Sequence, residues 1–197
     1  MTLSLMPGPD NVFVLTESIT KGKRNGIIIS AGLASGIIVH TIVIATGLSI
    51  LVQQSTYVFN GIKIFGAIYL LYLAYLTYKE ETSTVSISNQ SKDLDIKEKW
   101  FSLFKKGFFM NVLNPKVTLF FIAFLPQFVN KDGLPFSLQI IILGILFMIQ
   151  AFLVFSIISI VAGNLRQLVN SDKFWEKVKW IKIAVLTLLA GFLILTT

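Results

Sequence analysis

The feature that most constrains this chain is a set of long apolar stretches with very few charged residues. Four of them run from Ile27 to Val52, from Tyr57 to Tyr78, from Leu134 to Ala162 and from Trp180 to Thr197. A helix of about 20 residues crosses the apolar core of a bilayer, so each stretch is long enough to span a membrane. Charged residues make up only 14% of the 197 residues, against about 25% in an average soluble domain. The sequence therefore predicts an all-α membrane protein that forms a single domain over residues 1–197.

Two further apolar segments are interrupted by proline. The first runs from Leu3 to Thr16 and is interrupted at Pro7, Gly8, Pro9 and Asp10. The second runs from Gly107 to Val129 and is interrupted at Asn111, Asn114, Pro115 and Lys116. Proline removes a backbone donor and frees a carbonyl group, which the interior of a membrane protein tolerates only where other groups satisfy it. With these segments included, we predict a six-helix transmembrane bundle.

A polar stretch divides the chain into two similar halves. Residues 82–91 are rich in Ser, Thr, Asn and Gln, which is typical of a flexible connector. We place the connector at about 79–106, between a first repeat at about 1–78 and a second at about 107–197. Each half has one proline-interrupted segment and two uninterrupted spans. Because three is an odd number, the second half starts from the opposite side of the membrane, so we predict two three-helix inverted repeats.

The basic residues are concentrated in alternate connections. The formal net charge is +7, and most of the 17 basic residues follow the first segment, lie between residues 79 and 106, or precede the last span. The positive-inside rule assigns such loops to the cytoplasm. We therefore predict a multi-pass protein of the plasma (inner) membrane with cytoplasmic basic loops. This charge pattern favours membrane topology over a nucleic-acid-binding face.

The two interruptions carry opposite charges at matching positions. Asp10 follows Pro9 as Lys116 follows Pro115, so the two side chains can meet near the middle of the membrane. One hypothesis is that they pair; another is that Asp10 binds the amino end of a zwitterion while Lys116 and the free amides at the helix start bind its carboxylate. The alternatives are a structural kink and a lysine that extends to the membrane interface. The candidate substrate-binding residues are Asp10, Asn11, Asn114 and Lys116.

Asp10, His40 and Glu17 are candidates for proton coupling. His40 is the only histidine, and its spacing from Gly32 and Gly36 places the three residues on one helix face. The alternative for His40 is a packing stripe with a hydrogen-bonded imidazole. For Glu17 the alternative is a solvated position at the cytoplasmic end of its helix.

Enzymatic chemistry finds little support. The chain has no cysteine, a single histidine, no nucleotide-binding glycine loop and no metalloprotease motif. We expect no enzymatic activity, no cofactor and no metal. The expected partners are a small amino acid, protons and the lipid bilayer, and a homodimer is left open.

Several motifs, in their order along the chain, resemble the lysine exporter (LysE/RhtB) family of amino acid efflux proteins. PGPDN at 7–11, GLASG at 32–36 followed by His40, KIFGAIYLLY at 63–72 and above all KGFFMNVLNPKVTLFFIAFLPQFV at 106–129 carry the resemblance. It implies six transmembrane helices, inverted repeats and proton-coupled export of a basic amino acid or of the homoserine, threonine or leucine type. Family members have a longer apolar segment before the Pro-Gly-Pro motif than the six residues found here, so the resemblance implies a truncated first helix. A misplaced start codon, a fragment of a longer sequence and a truncated protein are the three explanations. An exporter of another solute or cation, and a truncated protein without transport activity, are the alternatives.

Overall fold

The computed structural model describes residues 9–48, 56–79, 96–130, 133–169 and 172–195, and these residues contain helices and no strand. The α-helices within these ranges are α1 (Pro9–Lys21), α2 (Lys23–Val43), α3 (Thr56–Lys79), α4 (Ile96–Val112), α5 (Pro115–Phe124), α6 (Phe136–Val169) and α7 (Asp172–Leu195). A π-helical turn, Ile44–Leu48, extends α2, and a 3-10 turn, Leu125–Phe128, extends α5.

Four described helices are long and apolar enough to cross a membrane. Their spans are Lys23–Gly47, Asn60–Lys79, Phe136–Ala162 and Glu176–Leu195. The helices α4 and α5 form a fifth span if they are counted together, and they meet at a bend of 52°. The predicted all-α membrane protein is therefore confirmed. The six-helix count and the inverted repeat stay predictions, since Pro7 and Gly8 lie outside the described residues.

The helix α4 begins inside the segment that we assigned to the connector. It starts at Ile96 rather than near Gly107, because an apolar and small-residue face continues backwards from the proposed span. Leu103, Gly107 and Asn111 are buried at intervals of four residues, whereas Lys105 and Lys106 are exposed. The polar stretch at 82–91 lies outside the described residues.

Glycines allow α2 and α4 to pack backbone to backbone. A methyl group added at Gly32 would overlap the carbonyl oxygen of Phe104, and one added at Gly107 would overlap the carbonyl oxygen of Ile29. Only glycine permits this approach, as in other membrane helix pairs that use small residues. On another side of α2, Gly144 of α6 similarly leaves room for the side chain of Thr41. The helix α2 is therefore fixed between α4 and α6 at the centre of the protein.

Cationic and aromatic side chains meet where several helices begin or end. The Arg24 guanidinium lies 3.9 Å from the ring centroid of Trp100, which places the starts of α2 and α4 side by side. The centroids of the Tyr78 and Trp180 rings lie 6.2 Å apart, so the end of α3 lies beside the first half of α7. Such aromatic and basic residues are typical of a membrane interface.

Candidate functional site

The interruption between α4 and α5 leaves a carbonyl group without its helical partner. Pro115 has no N–H and cannot donate to the carbonyl of Asn111 four residues earlier. Instead, the Asn114 backbone N–H donates to that oxygen at 3.0 Å. The imidazole Nε2 of His40 lies 3.2 Å from the same oxygen, and because a carbonyl can only accept, this bond requires the hydrogen on Nε2. His40 therefore compensates for the donor that Pro115 lacks.

The first turn of α5 has no free backbone donor. The Asn114 side chain caps it, because Oδ1 accepts from the Lys116 backbone N–H at 3.0 Å. The N–H groups of Val117 and Thr118 both donate to the Asn114 carbonyl at 3.1 Å, and Pro115 has none. The expectation that amides at this helix start bind a carboxylate is therefore wrong for this arrangement. An anion would have to be held by the Lys116 side chain.

Asp10 and Asn114 join the two interrupted segments. Although 104 positions separate them in sequence, Asn114 Nδ2 donates to Asp10 Oδ2 at 3.0 Å. Asp10 is 6% exposed and Asn114 is 8% exposed. Lys116 is half-buried, and its ammonium is close enough to attract the Asp10 carboxylate without forming a direct ion pair. The structure thus brings Asp10, Asn114 and Lys116 together.

Asn111 is a polar residue of this site that sequence reasoning did not select as a ligand. Its side chain is buried, and its Oδ1 atom has no hydrogen-bond partner among the described residues. It lies against Gly36, where an added methyl carbon would be 2.8 Å from Oδ1. No sequence signal marked this side chain, because the donor missing at Pro115 concerns the backbone carbonyl of Asn111 and not its amide. A buried acceptor without a partner is costly unless a ligand or water fills it.

Aromatic side chains form an apolar wall beside the interruption. The ring of Phe121, which is fully buried, lies 5.9 Å from the imidazole of His40 and 5.1 Å from the ring of Phe147. The His40 side chain on α2 is thus enclosed by α4 and by this aromatic wall. This environment favours the packing interpretation of the His40 stripe over a proton relay.

The other predicted residues lie on α1. Pro9 begins the helix, and Asn11 is half-buried next to Asp10. Glu17 lies about two helical turns beyond Asp10, outside the interruption. It is only 8% exposed, so the expectation of a solvated position is wrong. Its carboxylate is instead covered by the protein and paired with Lys21 at 2.9 Å.

The site combines an acid, two amides and a lysine where two helical segments end or begin inside an apolar protein. Polar groups at interrupted membrane helices are characteristic of secondary transporters. Sequence comparison identifies the group of transporters: the profile of the LysE type translocator family matches residues 1–197. The chain belongs to this family.

Two relatives of known sequence illustrate the similarity. The uncharacterized membrane protein YrhP of Bacillus subtilis is 31% identical over 174 residues, which cover 86% of this chain and 82% of the relative. The homoserine/homoserine lactone efflux protein of Salmonella typhimurium is 32% identical over 147 residues, which cover 73% of this chain and 66% of the relative. No solved structure matches the chain.

Proposed function

We propose that this protein is a secondary transporter that exports a small amino acid or a close derivative across the plasma membrane in exchange for protons. The observation that carries the proposal is the contact between Asp10 and Asn114, which joins the two interrupted segments in the protein interior. Burying a carboxylate inside a membrane protein costs free energy, and such carboxylates usually have a function. Membership in a translocator family and similarity to a homoserine efflux protein support a small amino acid as the substrate.

In this proposal the two charged side chains bind opposite ends of the solute. The Asp10 carboxylate binds the substrate ammonium. The Lys116 ammonium binds the substrate carboxylate, since the amides of α5 are already used. Protonation of Asp10 would release the ammonium, which gives an exchange of one cation for another at a single carboxylate.

We assign the ends of the helices that carry Lys21, Arg24 and Lys79 to the cytoplasm. Their basic character agrees with the positive-inside rule. The substrate would then enter from the side at which α1 ends and leave on the side toward which α5 runs. Transport by alternating access would require the contact between Asp10 and Asn114 to open and close.

Homoserine and its lactone provide a direct test, because both carry an ammonium but only homoserine carries a carboxylate. Counterflow is measured in proteoliposomes with each labelled compound. We expect Asp10→Asn to abolish the counterflow of both compounds. Lys116→Met should reduce homoserine counterflow about tenfold, which corresponds to roughly 1.4 kcal/mol, while lactone counterflow persists.

The outcomes separate the parts of the proposal. Unchanged homoserine counterflow in Lys116→Met would remove this lysine from the site. If the wild-type protein moves neither these compounds nor a wider panel of amino acids, with or without a pH gradient, the exporter assignment fails.

A further inference from the structure

The helix α1 carries a second buried carboxylate that the proposed exchange at Asp10 does not use. Glu17 is 8% exposed, and its Oε1 accepts a hydrogen bond from Lys21 Nζ at 2.9 Å. Its Oε2 atom is buried and has no hydrogen-bond partner in the part of the chain that the structure describes. A buried carboxylate oxygen without a partner is costly. In a membrane protein, such a group is a candidate functional site.

Glu17 lies on the same face of α1 as Asp10. Seven residues are about two turns, so the two side chains project in nearly the same direction, roughly 10 Å apart along the axis. Phe13 lies between them and close to that face, and the Lys106 ammonium of α4 covers its ring at 4.1 Å. The helix α1 packs mainly on α2 and α6 and touches α4 much less. Between α1 and α4, therefore, the contact is made by side chains such as Phe13 and Lys106 rather than by closely packed backbones.

The counter-ion of Glu17 is suited to displacement. Lys21 belongs to the last turn of α1, and its side chain is 32% exposed. Because this side chain is partly exposed, its ammonium can turn toward water when another cation takes its place at Glu17. An incoming ammonium group carries three donors, so it can replace Lys21 at Oε1 and also supply the partner that Oε2 lacks.

We propose that Glu17 is a loading subsite for the ammonium group of the exported solute, and that the solute displaces Lys21 there before its ammonium reaches Asp10. This inference rests on the proposed function and on the assignment of the Lys21 end to the cytoplasm. Phe13 lies between the two carboxylates along α1, and its ring contacts the Lys106 ammonium, so a solute that follows this face of α1 passes these two side chains.

A loading subsite acts on one face of the membrane only, and the test uses this asymmetry. The half-saturating concentration of L-homoserine is measured separately for the two faces in proteoliposomes of one orientation. We expect Glu17→Gln to raise the cytoplasmic value about tenfold and to leave the outer value unchanged. Lys21→Gln should lower the cytoplasmic value about threefold. Lys23→Gln removes a nearby exposed charge and should change neither value.

The opposite results overturn the subsite independently of the proposed function. If Glu17→Gln shifts both faces equally or neither face, while the wild type transports homoserine, the subsite is wrong and the exporter stands. If the wild type transports no amino acid, methylammonium binding decides the question in detergent. Methylammonium should raise the Tm of the Lys21→Gln protein. It should leave the Tm of the protein with both Glu17→Gln and Lys21→Gln unchanged. If methylammonium changes the Tm of the two proteins equally, the subsite is wrong. This second measurement also applies if Glu17→Gln alone fails to fold.

Discussion

The two interrupted segments place opposite charges at matching positions, but they differ in how their backbones and side chains are satisfied. At the second interruption, Asn114 caps α5 and His40 compensates for the donor missing from Pro115. At the first, Asp10 receives its hydrogen bond from Asn114 of the other half. The second interruption, with Asn114 and His40, is therefore a scaffold that is held by its own hydrogen bonds. The first interruption contributes an acid, Asp10, whose hydrogen bond depends on that scaffold.

The packing around the two segments shows the same difference. The helix α4 lies against α2 with glycines at both sides of the contact, at Gly32 and Gly107. The helix α1 instead packs on α2 and α6 and touches α4 only slightly. Movement that opens the site would thus separate α1 from α4 more readily than it would separate α4 from α2. The comparison predicts that damage to the scaffold lowers the stability of the fold, whereas damage at Asp10 leaves the protein folded and inactive.

The largest effect is expected for Gly32→Ala. The added methyl group would overlap the backbone carbonyl of Phe104, and a backbone atom in a helix cannot move aside without separating α2 from α4. We expect loss of the monodisperse protein in size-exclusion chromatography. Gly191→Ala is the matched control, because nothing lies within 4 Å of the added carbon. This control should fold normally and gain up to about 1 kcal/mol from better helix propensity. Equal behaviour of the two variants would show that the tight contact is not required.

The next effect is expected for Asp10→Asn, and it concerns transport rather than folding. Asparagine has nearly the same shape and can still bond to Asn114, but it cannot attract an ammonium group. We expect counterflow to fall at least about 100-fold, or roughly 2.7 kcal/mol, with little change in Tm. Glu176→Gln removes an exposed carboxylate at the start of α7 and should transport normally. Wild-type counterflow in Asp10→Asn would contradict the role proposed for this acid.

These residues also show how far the sequence leads. The spans, the interruption at Pro115 and the choice of Asp10 and Asn114 as candidate residues followed from hydropathy and from proline chemistry, which act locally. The proximity of Asp10 to Asn114 was accessible only through the expected symmetry of the two halves. The burial of Glu17 could not be predicted from the sequence, nor could the lack of a partner for Asn111 Oδ1 within the described part of the chain. Both depend on which helix faces meet, and almost every face is apolar. The bond of His40 to Asn111 likewise depends on the register of α2 against α4.

A smaller effect is expected at Asn114, where two functions of one side chain can be separated. Asn114→Ser keeps a good helix cap but has no amide to donate to Asp10, whereas Asn114→Ala loses both contacts. We expect the alanine variant to lose about 1 kcal/mol of stability and the serine variant to stay close to wild type in Tm. Both should lower counterflow, by about tenfold. If serine restores transport as well as stability, the contact with Asp10 is dispensable and Asn114 acts only as a cap.

The smallest effect on transport is expected at His40, and it distinguishes a structural donor from a proton relay. Glutamine can donate to the Asn111 carbonyl as the imidazole does, so His40→Gln should lose less than about 1 kcal/mol of stability. Leucine cannot donate, and His40→Leu should lose more, about 1–3 kcal/mol, because a buried carbonyl loses a partner. Counterflow per folded molecule, measured between about pH 5 and 8, should keep the wild-type profile in His40→Gln. A histidine that relays protons would give the reverse result: an altered pH profile in the glutamine variant, with its Tm unchanged.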